Sequence, residues 1–280
     1  MAFILHDRTG VIYHTSSLLD RPGLIHGFST RLGGVSEGMF ASMNLRFGGP
    51  ERDGRDRVTE NYRRFTAALG ADPGGVVLSC QVHKDTVRRV TAGDAGKGLT
   101  VPLDYEADAL VTDTPGLSLM VFSADCIILL LFDPVTRSIG AVHAGWRGTA
   151  LDLPAKTAAE MVRLFGARPE NIRVAIGAGI GPCCFETHAD VPDAMTAAFG
   201  GAAAAYMAPQ PDKPGKWSVD LKAINAWRLR EAGVAAEHID VCPLCTACRP
   251  DLYWSHRKMG NHRGVQGALI GLVSGEEAAQ

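Results

Sequence analysis

The stretch LSLMVFSADCIILLLF, residues 117–132, is strongly apolar and decides the fold class of the chain. Apolar and β-branched residues at this density predict β structure within a core. Residues 138–143 and 76–83 predict two further strands. Each of these three segments contains or ends at a His or a Cys. Because functional side chains collect where strands lead into loops, we expect a site at these positions.

The rest of the sequence alternates short strands with a few helices. Further strands are predicted over residues 23–29, 87–90, 107–111, 172–176, 239–241 and 265–273. Helices are predicted over residues 61–69, 151–165, 190–199 and 220–232. Residues 200–205 and 210–215 have the composition of surface loops. Without a linker or an internal repeat, we expect an α+β protein in which residues 1–280 form a single domain.

Composition limits the classes of function. The chain has 280 residues, 46% of them hydrophobic, and a net charge of −2. It can therefore bury a large core. Because the chain has no excess of basic residues, we do not expect it to bind nucleic acid. The first residues become charged too soon for a signal peptide, and residues 117–132 contain Asp125 and lack the length of a membrane span. We expect a cytoplasmic protein that binds no membrane.

Three side chains form a candidate metal site. His83, Cys126 and His143 lie in the distinctive segments QVH (81–83), SADC (123–126) and VHAGWRG (142–148). Two imidazoles and one thiolate are a ligand set for catalytic zinc, which keeps a fourth position for water or substrate. The alternative is that the Cys is an inert core residue and that the two His are only hydrogen-bonded.

Arginines next to glycines suggest an anion site. Arg147 lies in the glycine-bearing turn between a predicted strand and a predicted helix, where free N–H groups can face an anion. Arg31 and Arg257 lie in two further segments, FSTRLGGVS (28–36) and SHRK (255–258). The alternative for Arg147 is a solvated arginine in an ordinary strand-to-helix connection. The glycines of residues 177–181 match neither a dinucleotide fingerprint nor a P-loop.

The other cysteines are predicted to be structural thiols. The chain has seven cysteines, an odd number that argues against a disulfide framework. Cys242, Cys245 and Cys248 form a C-x₂-C-x₂-C run, but a fourth ligand at iron–sulfur spacing is missing. Cys183 and Cys184 are adjacent, and in an extended strand they would face opposite ways. We therefore expect no metal cluster from these residues.

Several motifs together resemble one family. They are FSTRxGGVS (28–36), SxNL (42–45), QVH (81–83), ADALVT (107–112), ADC (124–126), HAGWRG (143–148), GPCC (181–184), CT (245–246) and SHR (255–257). In this order they resemble the YfiH-type family, formerly labelled multicopper polyphenol oxidoreductase or laccase and now described as purine nucleoside phosphorylase-like. The resemblance spans nearly the whole chain. It departs at residues 255–260, Ser-His-Arg-Lys-Met-Gly, where many members have Arg-Arg-Asp-Gly after the C-terminal Ser-x-Arg.

The resemblance implies a single-domain α/β/β/α layered sandwich with mixed sheets. It also implies zinc held by His83, Cys126 and His143, phosphorolysis of adenosine, inosine and methylthioadenosine, and deamination of adenosine. Arg31, Arg147 and Arg257 are then expected to position phosphate, since arginine forks suit anions. Asp108 or Glu106 is expected to act as acid or base, and Asp125 to support the site from behind.

Three other functions compete with this one. A metal-free amidase or hydrolase would use Cys126 as nucleophile and His143 as base, acting on peptidoglycan precursors, a role also attached to this family. A non-catalytic metal-binding protein would bind zinc without turnover. A copper polyphenol oxidase is disfavoured because the nine histidines include no His-x-His pair for a copper cluster.

Overall fold

The structure, a computed structural model, describes residues 2–48 and 52–274. The strands are β1 (Phe3–Arg8), β2 (Val11–Ser16), β3 (Leu24–Ser29), β4 (Val76–Val77), β5 (Val87–Arg89), β6 (Ala109–Thr112), β7 (Ser118–Ser123), β8 (Ile127–Asp133), β9 (Ser138–Ala144), β10 (Arg173–Ile176), β11 (Glu186–Thr187), β12 (Met207–Pro209), β13 (Trp217–Val219), β14 (Ile239–Val241) and β15 (Gln266–Leu272). The α-helices are α1 (Arg55–Leu69), α2 (Trp146–Ala150), α3 (Leu153–Phe165), α4 (Asp190–Phe199), α5 (Leu221–Glu231) and α6 (His256–Met259).

The apolar stretch 117–132 supplies one strand to each of two large sheets. β7 belongs to a six-stranded sheet in the order β1-β2-β3-β15-β7-β4, and β8 belongs to a second in the order β14-β10-β8-β9-β6-β5. Both sheets are mixed, because β4 runs parallel to β7 while β15 runs antiparallel to it, and β10 is parallel to β14 but antiparallel to β8. The chain changes sheet at residues 124–126, immediately before and at Cys126.

The main core lies between the two sheets. Side chains alternate along a strand, so Ile128 and Leu130 of β8 face the first sheet, where they pack among residues such as Leu119 and Ile270. Leu129 of β8 faces the other way, into a second core. Both faces of β8 are therefore buried, which explains why its sequence is continuously apolar rather than alternating.

A helical layer covers the outer face of each sheet. α1 packs on the first sheet through side chains such as Tyr62 and Phe65, which meet Met120 and Leu269. α3, α4 and α5 pack on the second sheet through side chains such as Met161. The predicted α/β/β/α sandwich of the α+β class is confirmed, and a small third sheet of β11, β13 and β12 flanks it.

Several boundaries differ from those predicted. The strand predicted over 76–83 is only β4, because the chain then turns into a loop in which His83 has a φ of 60°. α1 begins at Arg55 rather than at residue 61. The prediction began too late because the first turn is polar and faces solvent, so it lacks an apolar pattern. The expected loop 200–205 is a 3-10 helix, Gly200–Tyr206. Within the described residues, no helix has the length and apolarity needed to cross a lipid bilayer.

Candidate functional site

The structure brings His83, Cys126 and His143 together. Their ligand atoms all lie within 4.8 Å of one another. Cys126 Sγ is 3.9 Å from His83 Nε2, and the two imidazole rings meet edge to face with centroids 4.8 Å apart. Residues separated by 60 positions in the sequence therefore form one compact group of two nitrogen donors and one sulfur donor.

Each of the three residues is held by a different kind of backbone. His143 lies in the buried strand β9, opposite Ile128 of β8. Cys126 follows Asp125, whose φ of 90° is left-handed, at the point where the chain passes from β7 to β8. His83 itself has a left-handed φ. Non-glycine residues seldom adopt this conformation, and those that do are concentrated at functional sites.

Asp108 organises two of the three residues. It is fully buried, and its carboxylate accepts backbone N–H bonds from Val82, His83 and Lys84 at 2.9 to 3.1 Å. Its Oδ1 also lies 2.9 Å from Nδ1 of His143. The carboxylate thus fixes the loop that carries His83 and leaves Nε2 of His143 facing the group, an arrangement typical of metal-binding histidines.

Asp108, one of the two residues predicted to act as acid or base, is buried and has four hydrogen-bond partners. This geometry is typical of a carboxylate that positions other groups. The other predicted acid or base, Glu106, is exposed and forms an ion pair with Lys84. Neither carboxylate lines the cavity described below.

Gly145 provides the space in which the three side chains meet. A Cβ atom on this residue would lie 2.9 Å from Cys126 Sγ and 3.2 Å from Cδ2 of His83. Such contacts are shorter than van der Waals distance, so any side chain here would displace a member of the group. This requirement gives a structural reason for the glycine that follows Ala144 in the HAGWRG motif.

Charge at the group favours an anionic sulfur. Burial alone would raise the pKa of the Cys126 thiol, but the charge of His143 and hydrogen bonds from His143 and His83 lower it below the ordinary value. Burial likewise opposes the charge on His143, yet Cys126 and Asp108 raise its pKa. The side chains thus favour the thiolate, which is the form that binds metal ions.

The donor set fits a zinc-class metal ion. Tetrahedral Zn²⁺ with bonds of about 2.0 to 2.3 Å to nitrogen and sulfur needs donor atoms about 3.3 to 3.6 Å apart. The Sγ–Nε2 distance of 3.9 Å between Cys126 and His83 requires only a small contraction. Three protein donors leave one position open, as catalytic sites do. His83, Cys126 and His143 are therefore the residues that would hold the ion.

The group opens into a cavity of about 690 Å³, a size that suits a small organic ligand. Phe47, Tyr62 and Phe122 form an aromatic wall, in which the rings of Phe47 and Tyr62 are stacked with centroids 5.4 Å apart. The hydroxyl of Ser79, also in the lining, is buried and has no hydrogen-bond partner among the described residues. A buried polar group needs a hydrogen-bond partner, and water or a ligand atom in the cavity can supply it.

Three arginines line the cavity, but they are not the predicted ones. Arg46 and Arg55 approach from the region around Phe47, and Arg263 approaches from the loop before β15. Arg263 is near enough to Asp125 and Cys126 for their charges to affect its pKa, which burial lowers. No motif identified these residues, because the fold alone brings their loops to the cavity.

The predicted phosphate-binding arginines lie outside the cavity lining. Arg31 donates to the carbonyl groups of Pro250 and Ala41 and stacks on Trp254. Arg257 donates to the carbonyl groups of Cys184 and Glu186. Arg147 is exposed and covers the ring of Trp146. The guanidinium groups of Arg31 and Arg257 thus connect segments of the fold.

Asp125 supports the site from behind, as expected, although it lies in a bend rather than an extended strand. Its carboxylate accepts hydrogen bonds from Oγ1 of Thr246 and from the backbone N–H of Arg257, both at 2.6 Å. Its carbonyl accepts one from the N–H of Ile180 at 2.8 Å. These bonds hold the residue that precedes Cys126.

The prediction for the remaining cysteines is wrong in one respect. Sulfur atoms of Cys183, Cys184, Cys245 and Cys248 form a second group, all within 4.8 Å of one another. Cys183 and Cys184 do not face opposite ways, because residues 181–185 form a turn closed by bonds from the N–H groups of Cys184 and Phe185 to Gly181. This turn brings two sulfur atoms to Cys245 and Cys248 of the C-x₂-C-x₂-C run, whereas Cys242 lies outside the group.

These features define a class: an α/β/β/α protein with a candidate metal centre that opens into a ligand-sized cavity. The chain belongs to the family described as "Multi-copper polyphenol oxidoreductase laccase", which it matches over residues 25–273. It is 35% identical to "Purine nucleoside phosphorylase YlmD" of Geobacillus stearothermophilus, over 91% of each chain. It is 38% identical to "Purine nucleoside phosphorylase" of Deinococcus radiodurans, over 91% of this chain and 92% of the relative.

Solved structures agree with this assignment. The hypothetical protein YfiH of Bacillus licheniformis superposes with a TM-score of 0.87 at 31% identity, covering 96% of this chain and 98% of the other. YlmD of Geobacillus stearothermophilus superposes with a TM-score of 0.84 at 31% identity, covering 97% and 99%. The resemblance to the YfiH-type family is confirmed, and relatives named as phosphorylases support an enzyme.

Proposed function

We propose that this protein is a zinc-dependent purine nucleoside phosphorylase, which converts adenosine, inosine or methylthioadenosine and phosphate into free base and a pentose 1-phosphate. We further propose that it deaminates adenosine. The observation that carries the proposal is the combination in one cavity of two His and one Cys, an aromatic wall and three arginines. The relatives named purine nucleoside phosphorylase support it.

The aromatic wall suits a purine. A flat heteroaromatic base can stack on the exposed parts of Phe47 or Phe122, since offset stacking and edge contacts are both favourable for aromatic rings. The unpartnered hydroxyl of Ser79 can donate to, or accept from, a polar edge of the nucleoside. Gln81 is already paired with both backbone groups of Phe122, so it fixes the wall rather than reading the base.

The arginines suit phosphate. Phosphorolysis requires an anion next to the sugar, and guanidinium groups bind phosphate oxygens through paired N–H donors. Arg46, Arg55 and Arg263 line the cavity that also contains the His–Cys group, so they replace Arg31, Arg147 and Arg257 as the residues proposed to hold phosphate. Their positive charge also balances the negative charge of a phosphate held next to the sugar.

Cys126, His83 and His143 are proposed as the metal ligands and, through the metal, as the catalytic residues. When bound, a zinc-class ion supplies Lewis acidity and allows water to act as a nucleophile near neutral pH, which deamination needs. Asp108 keeps His143 and the His83 loop in place throughout. Gly145 leaves room for this geometry, and the open side of the group faces the cavity.

The test is chromatography of products after incubating metal-analysed protein with adenosine, with and without phosphate. We expect adenine only with phosphate, and inosine or hypoxanthine from deamination. Arg263→Gln should raise the KM for phosphate by about tenfold or more, as expected for loss of a charged hydrogen bond, whereas Arg147→Gln should match wild type. Adenosine left intact by zinc-loaded protein would refute the proposal.

A second candidate function rests on one observation. Cys126, His143 and Asp108 also have the spatial arrangement of a nucleophile, its base and a carboxylate that orients the base. The pKa of the Cys126 thiol is lowered, as a nucleophile requires. This arrangement would suit an amidase or hydrolase acting on peptidoglycan precursors. Such an enzyme would remain active after removal of metal by a chelator, whereas the proposed phosphorylase would lose activity and regain it with zinc.

A further inference from the structure

The second cysteine group lies away from the cavity and has no part in the proposed function. Cys245 is buried, Cys184 is half-buried, and Cys183 and Cys248 are exposed. None of the four lines the main cavity. Two come from the turn after β10 and two from the loop after β14, and these segments meet through a bridge between Gly179 and Cys245.

The distances between the sulfur atoms are those of metal ligands. Cys248 Sγ is 3.5 Å from Cys183 Sγ and 3.4 Å from Cys184 Sγ. Four thiolates around Zn²⁺ with bonds of about 2.3 Å form a tetrahedron with edges of about 3.8 Å. A disulfide would need sulfur atoms about 2.05 Å apart. The spacing therefore fits four sulfurs sharing an ion better than two bonded pairs.

The backbone around the group is also shaped for anionic sulfur. The N–H of Gly181 donates to Cys245 Sγ at 3.2 Å. A Cβ on Gly181 would lie 3.3 Å from Cys183 Sγ and 3.4 Å from Cys245 Cβ, so the glycine lets the turn approach the sulfurs closely. A C-x₂-C pair combined with two more cysteines is the ligand pattern of closed structural zinc sites.

We propose that Cys183, Cys184, Cys245 and Cys248 bind one structural zinc ion, separate from the metal of the cavity. Four protein ligands leave no position for substrate, so this ion stabilises the fold and does not take part in catalysis. The stabilised region includes Thr246, which follows Cys245 and donates to Asp125, the residue before Cys126. The zinc ion thus secures a loop that supports the cavity.

The test is zinc content per chain, measured on full-length protein that has not been exposed to chelator. Cys248→Ser should lower the content by one zinc per chain, whereas Cys80→Ser, a change at an exposed cysteine outside both groups, should leave it unchanged. Cys248→His should retain the zinc, because Cys₃His is also a structural zinc set. Equal zinc in wild type and Cys248→Ser would overturn the proposal.

A second measurement leaves all four cysteines intact, so it tests the proposal even if Cys248 variants do not fold. In Cys126→Ser protein from which metal has been removed, and where the cavity has no thiolate ligand, added Co²⁺ should give intense sulfur-to-cobalt absorption that one equivalent of zinc removes. Absence of this absorption from the metal-free protein would overturn the proposal. So would iron with acid-labile sulfide, or a mass deficit that shows disulfides among the four cysteines.

Discussion

In the part of the chain that the structure describes, His and Cys side chains gather in two places, which differ in the number of donors and in their surroundings. The group of His83, Cys126 and His143 has three donors and faces a cavity of about 690 Å³. The group of four cysteines has a full tetrahedral set and lies outside that cavity. An open coordination position is what separates catalytic from structural zinc sites. The comparison predicts that the first group carries activity and the second carries stability.

The largest effect should come from removing the sulfur ligand of the open group. Cys126→Ser is expected to lower phosphorolysis about a thousandfold, because loss of metal-ion catalysis costs several kcal/mol. The measurement is kcat/KM for inosine at saturating phosphate, with Cys80→Ser as the matched control. An active Cys126→Ser enzyme would place the chemistry elsewhere and remove the distinction between the two groups.

Asp108→Asn should produce the next largest effect. The substitution weakens the acceptor for three backbone N–H groups and for His143, while the volume of the side chain stays the same. Outer partners of metal-binding histidines typically contribute about 10- to 100-fold in metal affinity, so zinc should dissociate from the cavity site at correspondingly lower chelator concentration. Asp113→Asn, at an exposed carboxylate, is the control. Unchanged zinc affinity would contradict the positioning role.

Gly145→Ala should have a smaller effect on the same group. The added methyl would lie 2.9 Å from Cys126 Sγ, so the sulfur must move by several tenths of an ångström. Misplacement on this scale at a reacting centre costs about tenfold or more in rate. Gly201→Ala is the control, because its Cβ would meet no atom within 4 Å. A kcat equal to that of wild type in Gly145→Ala would contradict this prediction, because it would show that the added methyl does not disturb the reacting groups.

The smallest predicted difference is in thiol reactivity after metal removal. His143 and His83 lower the pKa of Cys126, whereas burial and neighbouring thiols raise the pKa of Cys183 to about 11 and that of Cys184 to about 12. A lowered pKa leaves more thiolate at neutral pH, so iodoacetamide at pH 7 should modify Cys126 first. Peptide mass spectrometry over time measures the order. Faster labelling of Cys183 or Cys184 would contradict the assigned environments.

Much of the fold could be predicted from the sequence, because burial leaves a clear pattern. The continuously apolar β8 and the periodic α3 were both predicted, since each is held by core packing. β1 was not predicted: it is an edge strand whose residues are mostly exposed, so it lacks an apolar face. The sequence predicts strand for the loop after β4, because the course of this loop depends on Asp108, which is distant in sequence.

The metal ligands could be proposed from their residue types and motifs, but the anion-binding side chains could not. Arg46, Arg55 and Arg263 have no distinctive neighbours, and only the packing of three loops brings them to one cavity. The second cysteine group was missed for a related reason. Two adjacent cysteines can face one point only in a turn. The prediction that Cys183 and Cys184 face opposite ways assumes an extended strand instead of the turn at residues 181–185.

The most direct test of phosphorolysis is ³¹P NMR of the reaction of inosine with inorganic phosphate in the presence of zinc-loaded protein. We predict that the phosphate signal falls as a sugar 1-phosphate signal grows, in equal amount to the hypoxanthine released. Hypoxanthine released without a sugar phosphate would show hydrolysis instead. If inosine, adenosine and methylthioadenosine all stay unreacted, the open His–Cys group does not carry out phosphorolysis.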